Sequence, residues 1–391
     1  MKKLWFLPFI TISIISISSV RAQNSVTVIG IGKLGLCSAL CFEKSGYNVL
    51  GIDINQAYVT SLNNKTFRSF EPQVNVLLQN STHFRATCSL DEGLKFSDIC
   101  YIMVDTPSTP HKTAYDQRNL NKVLSEINKR KVSNKHIVIG CTIFPGYIRS
   151  IGKNLIKDCI NTSLSYNPEF IAQGNIIHGL QYPDIVLIGE GSKEAGDAVE
   201  TLHRGVYRNN PRFCRMSPDS AEITKLALNC FVTTKIAYAN MIGDIAEQTP
   251  GADKFAILDA VGGDSRIGHL YLKPGYGFGG PCFPRDNRAL GSYAQIIGIE
   301  PLIPQATDAS NNLHAQFMAK QFLDEDREVY YFENVTYKDG KVPIIEESQK
   351  LVVAAILAKS GKRVVIIDTE PVIQEVQKSF GNLFEYQIRE G

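Results

Sequence analysis

The chain alternates short runs of β-branched and aliphatic residues with longer stretches in which apolar residues recur every three or four positions. The short runs predict strands at 26–31, 48–54, 98–104, 136–142, 163–167 and 184–189. The longer stretches predict helices at 33–45, 119–131, 146–157 and 193–203. Strands that alternate with helices are typical of βαβ units on a parallel sheet. We therefore predict an α/β fold that begins with an open, doubly wound domain over residues 23–210.

A different pattern begins at Ser217-Pro218, which is a helix start signal. Helical spacing then continues to about Gln248 and is stopped by the turn residues 249–251. A helix of about 30 residues is about 45 Å long, which is enough to connect two α/β domains. We therefore predict a central helical domain at 211–310 that is built on this long connecting helix.

The last part of the chain has the pattern of another α/β unit. A strand is predicted at 329–332, a helix at 346–359 and a second strand at 363–368. One strand–helix–strand unit does not cover both faces of a sheet. We therefore expect residues 311–391 to form a truncated second α/β domain.

The first 22 residues differ from the rest of the sequence. Lys2 and Lys3 precede an uncharged apolar stretch over residues 4–20, which is followed by Val20-Arg21-Ala22. This order is typical of a secretory signal peptide with a small-residue cleavage site. The stretch is short for a membrane span, and an uncleaved signal anchor is the alternative interpretation.

Composition excludes several classes of function. The 391 residues include 41 Lys and Arg against 39 Asp and Glu, a formal charge of +2 with no dense basic run after the N-terminus. Nucleic-acid binding therefore has no support. The nine cysteines form no CxxC pair and no Cys/His pattern with zinc spacing, so we predict no metal site and no disulfide framework.

A glycine motif follows the first predicted strand and opens the first predicted helix. Residues 30–35 (GIGKLG) match GxGxxG, in which the glycines permit a tight turn, close approach of a pyrophosphate, and helix–strand packing. Asp53, 21 residues after Gly32, is placed to accept bonds from ribose hydroxyls and to repel a 2′-phosphate. A glycine turn without a nucleotide is the alternative. The motif predicts an NAD site formed by Gly30, Gly32, Lys33, Leu34, Gly35 and Asp53.

A second glycine-rich segment, residues 275–280 (GYGFGG), precedes Cys282 and a probable helix. The helix field and neighbouring cations favour the thiolate at such a position, so Cys282 is a candidate nucleophile. On the long helix, Lys225 and Asn229 are four residues apart and share one face. The spacing alone is equally compatible with two interpretations. Either both side chains bind one ligand, or both are ordinary polar residues in contact with solvent.

Several motifs in one order resemble the UDP-glucose 6-dehydrogenase family of nucleotide-sugar dehydrogenases. The resemblance covers about residues 25–290 and fades after 312. Besides the glycine motif, it rests on Thr106-Pro107, CTIFPG at 141–146, NPEF at 167–170, AEITKL at 221–226, RIG at 266–268 and GGPCFPRD at 279–286.

The resemblance implies oxidation of a primary alcohol on a sugar to a carboxylate, with two NAD molecules reduced in succession. Cys282 would capture the intermediate aldehyde, and oxidation of the adduct would give a thioester that water hydrolyses. Glu169 would activate that water, while Thr142 and Asp286 would orient it. Lys225 and Asn229 would stabilise negative charge on the sugar oxygen. The resemblance also assigns Thr106, Thr142 and Glu169 to the cofactor site.

The family pattern also implies contacts with UDP-glucose or a related nucleotide sugar. These contacts are assigned to Phe170, Ile171, Ala172, Gln173, Gly174, Lys225, Asn229, Arg266, Lys273, Tyr276, Gly277, Phe278, Gly279 and Lys338. Arg266 would reach the site of a neighbouring subunit, which implies a homodimer or higher homo-oligomer packed through the long helix. Enzymes of this class are expected in the cytoplasm, in contrast to the signal-like leader.

The sequence departs from the family pattern near the C-terminal end. Tyr337-Lys338 and Glu347-Ser348 match it, but Ile345 or Glu346 stands where an arginine is expected. We therefore expect weaker binding of the uridine nucleotide. Three alternatives remain: a dehydrogenase of another nucleotide sugar, a single-oxidation dehydrogenase of the 6-phosphogluconate type, which would not need Cys282, and a non-catalytic nucleotide-sugar-binding remnant.

Overall fold

The N-terminal part of the chain is organised around one sheet. The computed structural model describes residues 24–110, 114–171, 173–338 and 342–389, so the leader and its signal-peptide prediction lie outside the described residues. The strands of the first sheet are β1 (Ser25–Ile29), β2 (Asn48–Ile52), β3 (Phe84–Thr87), β4 (Ile99–Ile102), β5 (His136–Ile139), β6 (Ser163–Tyr166), β7 (Ile185–Gly189) and β8 (Arg212–Met216).

The strand order is β3-β2-β1-β4-β5-β6-β7-β8, and neighbours pair in parallel except β6 with β7, which are antiparallel. The order reverses between β1 and β4, where the chain crosses from one half of the sheet to the other. In open α/β sheets, ligands bind outside the carboxyl ends of the strands at such a point. The predicted doubly wound sheet is therefore confirmed.

Both faces of this sheet are covered by helices. They are α1 (Lys33–Lys44), α2 (Gln56–Asn63), α3 (Val74–Asn80), α4 (Leu90–Phe96), α5 (Arg118–Lys129), α6 (Lys153–Leu155), α7 (Ile176–Gln181) and α8 (Lys193–Arg204). Side chains alternate between the faces, so Val28 and Tyr101 join one apolar cluster while Ile29 and Ile102 join the other. This double burial explains the nearly continuous apolar strands in the sequence.

Two parts of this domain differ from the sequence expectations. The helix predicted at 146–157 is a π-helical turn, Ile148–Gly152, followed by the short α6. The sheet also continues through β8 to Met216, beyond residue 210 where the sequence placed the domain boundary. β8 lacks an apolar pattern because Arg215 lies within it and forms ion pairs with Glu190 and Asp197.

The central part is built on α9 (Pro218–Glu247), with α10 (Lys254–Gly263), α11 (Phe283–Ile296) and α12 (Leu302–Asp324). The Ser217 hydroxyl accepts a bond from the Ser220 amide at the start of α9, as its start signal predicts. α9 packs against α11, α12 and β7, so it joins the central helices to the sheet. The predicted long connecting helix is confirmed, whereas α12 crosses the boundary that we expected at residue 310.

A second, smaller sheet follows α12. It consists of β9 (Val329–Glu333), β10 (Arg363–Asp368) and β11 (Glu385–Ile388) in the order β11-β10-β9, with α13 (Gln349–Lys359) and α14 (Glu370–Phe380). The unit therefore has one more helix and one more strand than the sequence indicated, and it encloses its own apolar cluster. In the described part of the chain, no helix combines the length and apolar character needed to cross a membrane.

Candidate active site

The dinucleotide turn lies at the carboxyl end of β1, as the glycine motif predicts. Gly30 has a φ of +87°, and its amide bonds to the Ile52 carbonyl at 2.8 Å. A Cβ on Gly35 would lie 2.0 Å from the Gly30 carbonyl oxygen, so only glycine permits this approach of helix to turn. The Gly32 α-carbon faces open space, with no atom within 4 Å of a Cβ built there.

A cleft of about 310 Å³ adjoins this turn, lined in part by Gly32, Lys33 and Asp53. Asp53 follows β2, and its Oδ1 accepts a bond of 3.0 Å from the Asn55 amide. The open face of Gly32, the start of α1 and a carboxylate across the cleft fit a dinucleotide with free ribose hydroxyls. Leu34, by contrast, is partly buried and packs against the apolar core of this domain.

Cys282 lies at the N-cap of α11, directly after the glycine-rich loop. Gly280 in this loop has a φ of +85°, and its missing side chain makes room for the Tyr337 ring. The Cys282 side chain is reached by solvent, but desolvation by the surrounding protein raises its pKa, and Asp286 adds to that effect. Arg285 and Lys225 act in the opposite direction. Desolvation therefore acts against the thiolate that the sequence predicts at this position, while the two cations act in its favour.

Lys225 projects from α9 into the same region and is 7% exposed. Its Nζ donates to the Glu169 carbonyl oxygen at 2.7 Å and lies 4.4 Å from the centroid of the Phe170 ring. Burial lowers the pKa of Lys225, while the negative charges of Asp286, Cys282 and Glu169 oppose that shift. A buried ammonium with a held orientation is suited to stabilise charge on a nearby oxygen.

Asp286 is 1% exposed and is surrounded by donors. Asn229 Nδ2 donates to its Oδ2 at 2.7 Å, and the Tyr115 hydroxyl donates to its Oδ1 at 2.8 Å. Arg285 Nε is 3.4 Å from Oδ1. Sequence reasoning missed Tyr115, because no periodicity or motif distinguishes it, and gave no role to Arg285 although the GGPCFPRD motif contains it.

The Glu169 carboxyl group lies inside the fold, where its charge acts on Lys225 and also on Cys41, Tyr101 and Tyr207. Its Oε1 has no hydrogen-bond partner among the described residues. Burial raises the pKa of Glu169 to about 7, and Lys225 partly offsets this shift. A carboxyl group that titrates near neutral pH is suited to general-base chemistry.

Two threonines and an arginine join the sheet to the central helices. The Thr106 hydroxyl donates to the Thr142 carbonyl oxygen at 2.9 Å, which links the segments after β4 and β5. Arg285 Nη1 donates to the Thr106 carbonyl oxygen at 3.2 Å. Both threonines therefore lie at the carboxyl edge of the sheet, next to the residues that surround Cys282.

The segment at 170–174 is connected to the dinucleotide turn. Lys33 Nζ is 3.5 Å from Gln173 Oε1. The buried Glu71 carboxylate accepts bonds from the Gly174 amide at 2.8 Å and from the Ile176 amide at 2.6 Å. Ile171 packs against the apolar core, and Ala172 lies outside the described residues.

The glycine-rich loop is held mainly through its peptide groups. Asn311 of α12 accepts a bond from the Phe278 amide and donates to the Phe278 carbonyl oxygen, both at 2.9 Å. A Cβ on Gly277 would lie 2.2 Å from Asn311 Oδ1, and one on Gly279 would lie 2.2 Å from the Glu347 carbonyl oxygen. The ring of Tyr276 faces Lys350 Nζ at 5.6 Å.

Three predicted substrate residues have exposed side chains in the single chain. Arg266 is paired with Asp264 on the segment after α10, where its side chain is 86% exposed. Lys273 and Lys338 are also exposed. No cluster of three or more His, Cys, Asp or Glu side chains suited to a metal ion occurs among the described residues.

The parallel sheet, the glycine turn and the adjoining cleft define an NAD-dependent dehydrogenase. Residues 24–207 match the NAD binding domain of the UDP-glucose/GDP-mannose dehydrogenase family, and residues 219–313 match its central domain. The chain therefore belongs to this family of nucleotide-sugar dehydrogenases.

Two curated relatives and one solved structure illustrate the similarity. UDP-glucose 6-dehydrogenase TuaD of Bacillus subtilis is 34% identical over 71% of the chain, a region that spans only 60% of the Bacillus protein. UDP-glucose 6-dehydrogenase of Rickettsia bellii is 30% identical over 92% of the chain and 83% of that protein. A UDP-glucose dehydrogenase structure from Pyrobaculum islandicum has a TM-score of 0.84 at 26% identity, covering 94% of this chain and 86% of its own.

Proposed function

We propose that the chain oxidises UDP-glucose to UDP-glucuronate in two NAD-dependent steps, with Cys282 as the covalent nucleophile. The observation that carries this proposal is the position of Cys282 at the N-cap of α11, where its carbonyl oxygen accepts a 2.8 Å bond from the Asp286 amide. Lys225 and Asp286 are close enough for their charges to act on its thiol. The Lys225 ammonium in turn donates to the backbone carbonyl oxygen of Glu169 at 2.7 Å. A single-oxidation dehydrogenase has no need for a cysteine at this position.

In the first oxidation, the C6 hydroxyl of the sugar loses its proton to solvent and the C6 carbon loses a hydride, which gives an aldehyde. Gly30, Gly32 and Asp53 would hold NAD⁺, which would supply the acceptor for the hydride in each oxidation. Lys225 stabilises the developing alkoxide, since its ammonium is buried and held by the Glu169 carbonyl oxygen. Asn229 fixes the orientation of Asp286 through their 2.7 Å bond.

Cys282 then adds to the aldehyde. The sulfur–carbon bond forms as the thiol proton is transferred to the carbonyl oxygen, which gives a thiohemiacetal on Cys282. Loss of a hydride from that carbon and of the hydroxyl proton gives a thioester. Burial disfavours the thiolate of Cys282, and the Arg285 and Lys225 cations favour it.

Water completes the reaction by attacking the thioester. The carbon–sulfur bond breaks, the Cys282 thiol is restored and a carboxylate is released, so one alcohol, one water and two NAD⁺ give one carboxylate, two NADH and three protons, which pass to solvent. Glu169 accepts the proton of the attacking water, since its pKa of about 7 keeps a large fraction deprotonated at neutral pH. Thr142 and Asp286 orient the water.

The family is described for both UDP-glucose and GDP-mannose dehydrogenases. UDP-glucose is favoured by the identity of 34% and 30% to two relatives named for it. Glu346, one of the two residues that stand where the arginine is expected, is exposed and raises the pKa of the Cys282 thiol. A carboxylate there opposes an anionic ligand, in keeping with the weaker nucleotide binding that we expect.

The yield of NADH per nucleotide sugar tests the proposal. Purified protein that begins at Gln23 is incubated with limiting UDP-glucose and excess NAD, in parallel with GDP-mannose. We expect two NADH per UDP-glucose and much less turnover with GDP-mannose. One NADH per sugar indicates a single-oxidation dehydrogenase, preference for GDP-mannose reassigns the substrate, and absence of NADH with every sugar supports the non-catalytic remnant.

We further propose that two copies pack through α9. One stripe of this helix exposes apolar side chains at helical spacing, with Phe231 68%, Tyr238 45%, Met241 43% and Ile245 55% exposed. Such a dimer would bring the exposed Arg266 toward a second site. Light scattering should give about twice the mass of one chain, and Phe231→Glu should shift it to the single-chain mass.

A further inference from the structure

Two helices hold the start of the glycine-rich loop at Gly275. Asn240 of α9 accepts a bond of 2.9 Å from the Gly275 amide. His314 of α12 places Nε2 2.6 Å from the Gly275 carbonyl oxygen. Asn240 is 1% and His314 7% exposed, so both bonds are formed away from solvent. The two peptide groups that flank the Gly275 α-carbon are therefore each held by a buried side chain that lies outside the loop.

His314 faces an acceptor on each side of its ring. A carbonyl oxygen has no proton to donate, so Nε2 must carry the hydrogen of the bond to Gly275. Nδ1 lies 2.9 Å from both carboxylate oxygens of Asp244, which projects from α9. A carboxylate can also only accept a hydrogen bond, so the bond to Asp244 forms when Nδ1 is protonated as well as Nε2. The ring is then an imidazolium that is neutralised by Asp244.

The charged surroundings are compatible with this state. From α9 the group that faces the ring is Asp244, and from the loop it is the uncharged Gly275 carbonyl. From α13 the neighbouring charge is Lys350, which lies over the Tyr276 ring at 5.6 Å rather than against His314. A buried charge is stable where a partner of opposite sign and hydrogen bonds satisfy it, and His314 has both.

We propose that His314, doubly protonated and paired with Asp244, is a positioning residue that fixes the Gly275 peptide and thereby the loop that leads to Cys282. Loss of the Nε2 proton removes the bond between the loop and α12, and loss of the Nδ1 proton removes the bond that holds the ring against α9. The consequence for catalysis rests on the proposed function, since it takes residues 276–279 as a wall of the sugar site. The protonation state itself does not depend on any activity.

Nitrogen-15 NMR of protein labelled at its seven histidines tests the protonation state directly. At pH 7 we expect one buried ring with protons on both nitrogens, and in Asp244→Asn the same ring with a proton on Nε2 alone. A neutral His314 with one proton in the unmodified chain overturns the proposal. Asp244→Asn also serves if replacement of His314 prevents folding.

Amide exchange and kinetics test the positioning role. In His314→Gln we expect faster exchange of the amides at 275–280 with unchanged exchange in β1 and β4, and a KM for the nucleotide sugar raised roughly tenfold at a kcat within about twofold. His83→Gln, at an exposed histidine of the first domain, is the matched control. Faster exchange throughout the chain, or an unchanged KM in an active enzyme, contradicts the positioning role. If the unmodified protein turns over no sugar, the proposed function fails. The NMR spectra and the amide exchange rates then still test the role of His314, because neither measurement needs activity.

Discussion

The dinucleotide turn and the region around Cys282 are built in different ways. The turn takes its main features from six consecutive residues at 30–35, with Asp53 added from the next strand. The region around Cys282 unites Thr106, Glu169, Lys225 and Asp286, which come from four separate segments. The first site is therefore specified locally, whereas the second exists only when the sheet and the central helices are packed together.

The two regions also differ in how far their side chains are exposed to solvent. Gly32 and Lys33 face open space, as suits a site that binds and releases a cofactor. Glu169 and Lys225 are enclosed, and burial moves the pKa of the carboxyl group up and that of the ammonium down. The comparison teaches that cofactor binding and chemistry are separable here, because only the second region relies on desolvated charges.

The largest expected effect comes from removal of the nucleophile. Cys282→Ala should lower NADH formation by roughly 10³-fold or more, since the covalent step has no substitute. The dissociation constant for NAD should change by less than about twofold, because the cofactor cleft is formed by other residues. Calorimetry and initial rates measure the two quantities. Exposed Cys88→Ser is the control, and substantial turnover by the alanine variant would remove Cys282 from the mechanism.

The next effect concerns the dependence of the rate on pH. The proton-accepting form of Glu169 is the carboxylate, and its pKa is raised to about 7, so kcat should increase as the pH rises from 6 to 8. In Glu169→Gln this rising limb should disappear and kcat should fall by roughly 10²-fold. An unchanged limb in the variant would show that another group titrates. Rates under saturating NAD and sugar provide the measurement.

A change in the cofactor cleft should have a smaller effect and leave the chemistry intact. Asp53→Asn retains an oxygen for the Asn55 amide but removes the charge that opposes a 2′-phosphate. The ratio of kcat/KM for NADP to that for NAD should rise roughly tenfold, about 1.4 kcal/mol. The yield of reduced cofactor per sugar should stay at two. An unchanged ratio would mean that Asp53 does not select the cofactor.

The smallest effect is expected at Tyr115. Tyr115→Phe removes the 2.8 Å bond to Asp286 Oδ1 but leaves the bond from Asn229 in place. Loss of one such bond costs about 1 kcal/mol, so kcat should fall roughly fivefold. Tyr58→Phe, which removes a hydroxyl bonded to the Ile31 carbonyl oxygen near the cofactor cleft, should alter the KM for NAD instead. Equal effects of both variants on kcat would contradict the separation of the two regions.

The sequence predicts the elements that carry local signals. The long helix α9 begins and ends within about one residue of its predicted bounds, because Ser217-Pro218 caps it and Thr249-Pro250-Gly251 stops it. The glycine turn is predicted for the same reason: its backbone conformation depends on glycines that lie close together in sequence.

Elements stabilised by distant contacts were not predictable in this way. α12 buries Thr307, Asn311 and His314 rather than a stripe of apolar residues, so its periodicity is hidden. The bond between Tyr115 and Asp286 joins residues 171 positions apart, and no spacing rule addresses such a pair. The raised pKa of Cys282 depends on desolvation in the folded chain, which local sequence does not determine.

The central claim is that Cys282 holds the sugar covalently between the two oxidations. Glu169→Gln, in which hydrolysis of the thioester is slowed, is incubated with UDP-glucose and NAD, quenched in acid, digested and analysed by mass spectrometry. The account predicts that the peptide containing Cys282 gains the mass of a UDP-glucuronyl group in thioester linkage. An unmodified Cys282 peptide in protein that has produced NADH would contradict the account.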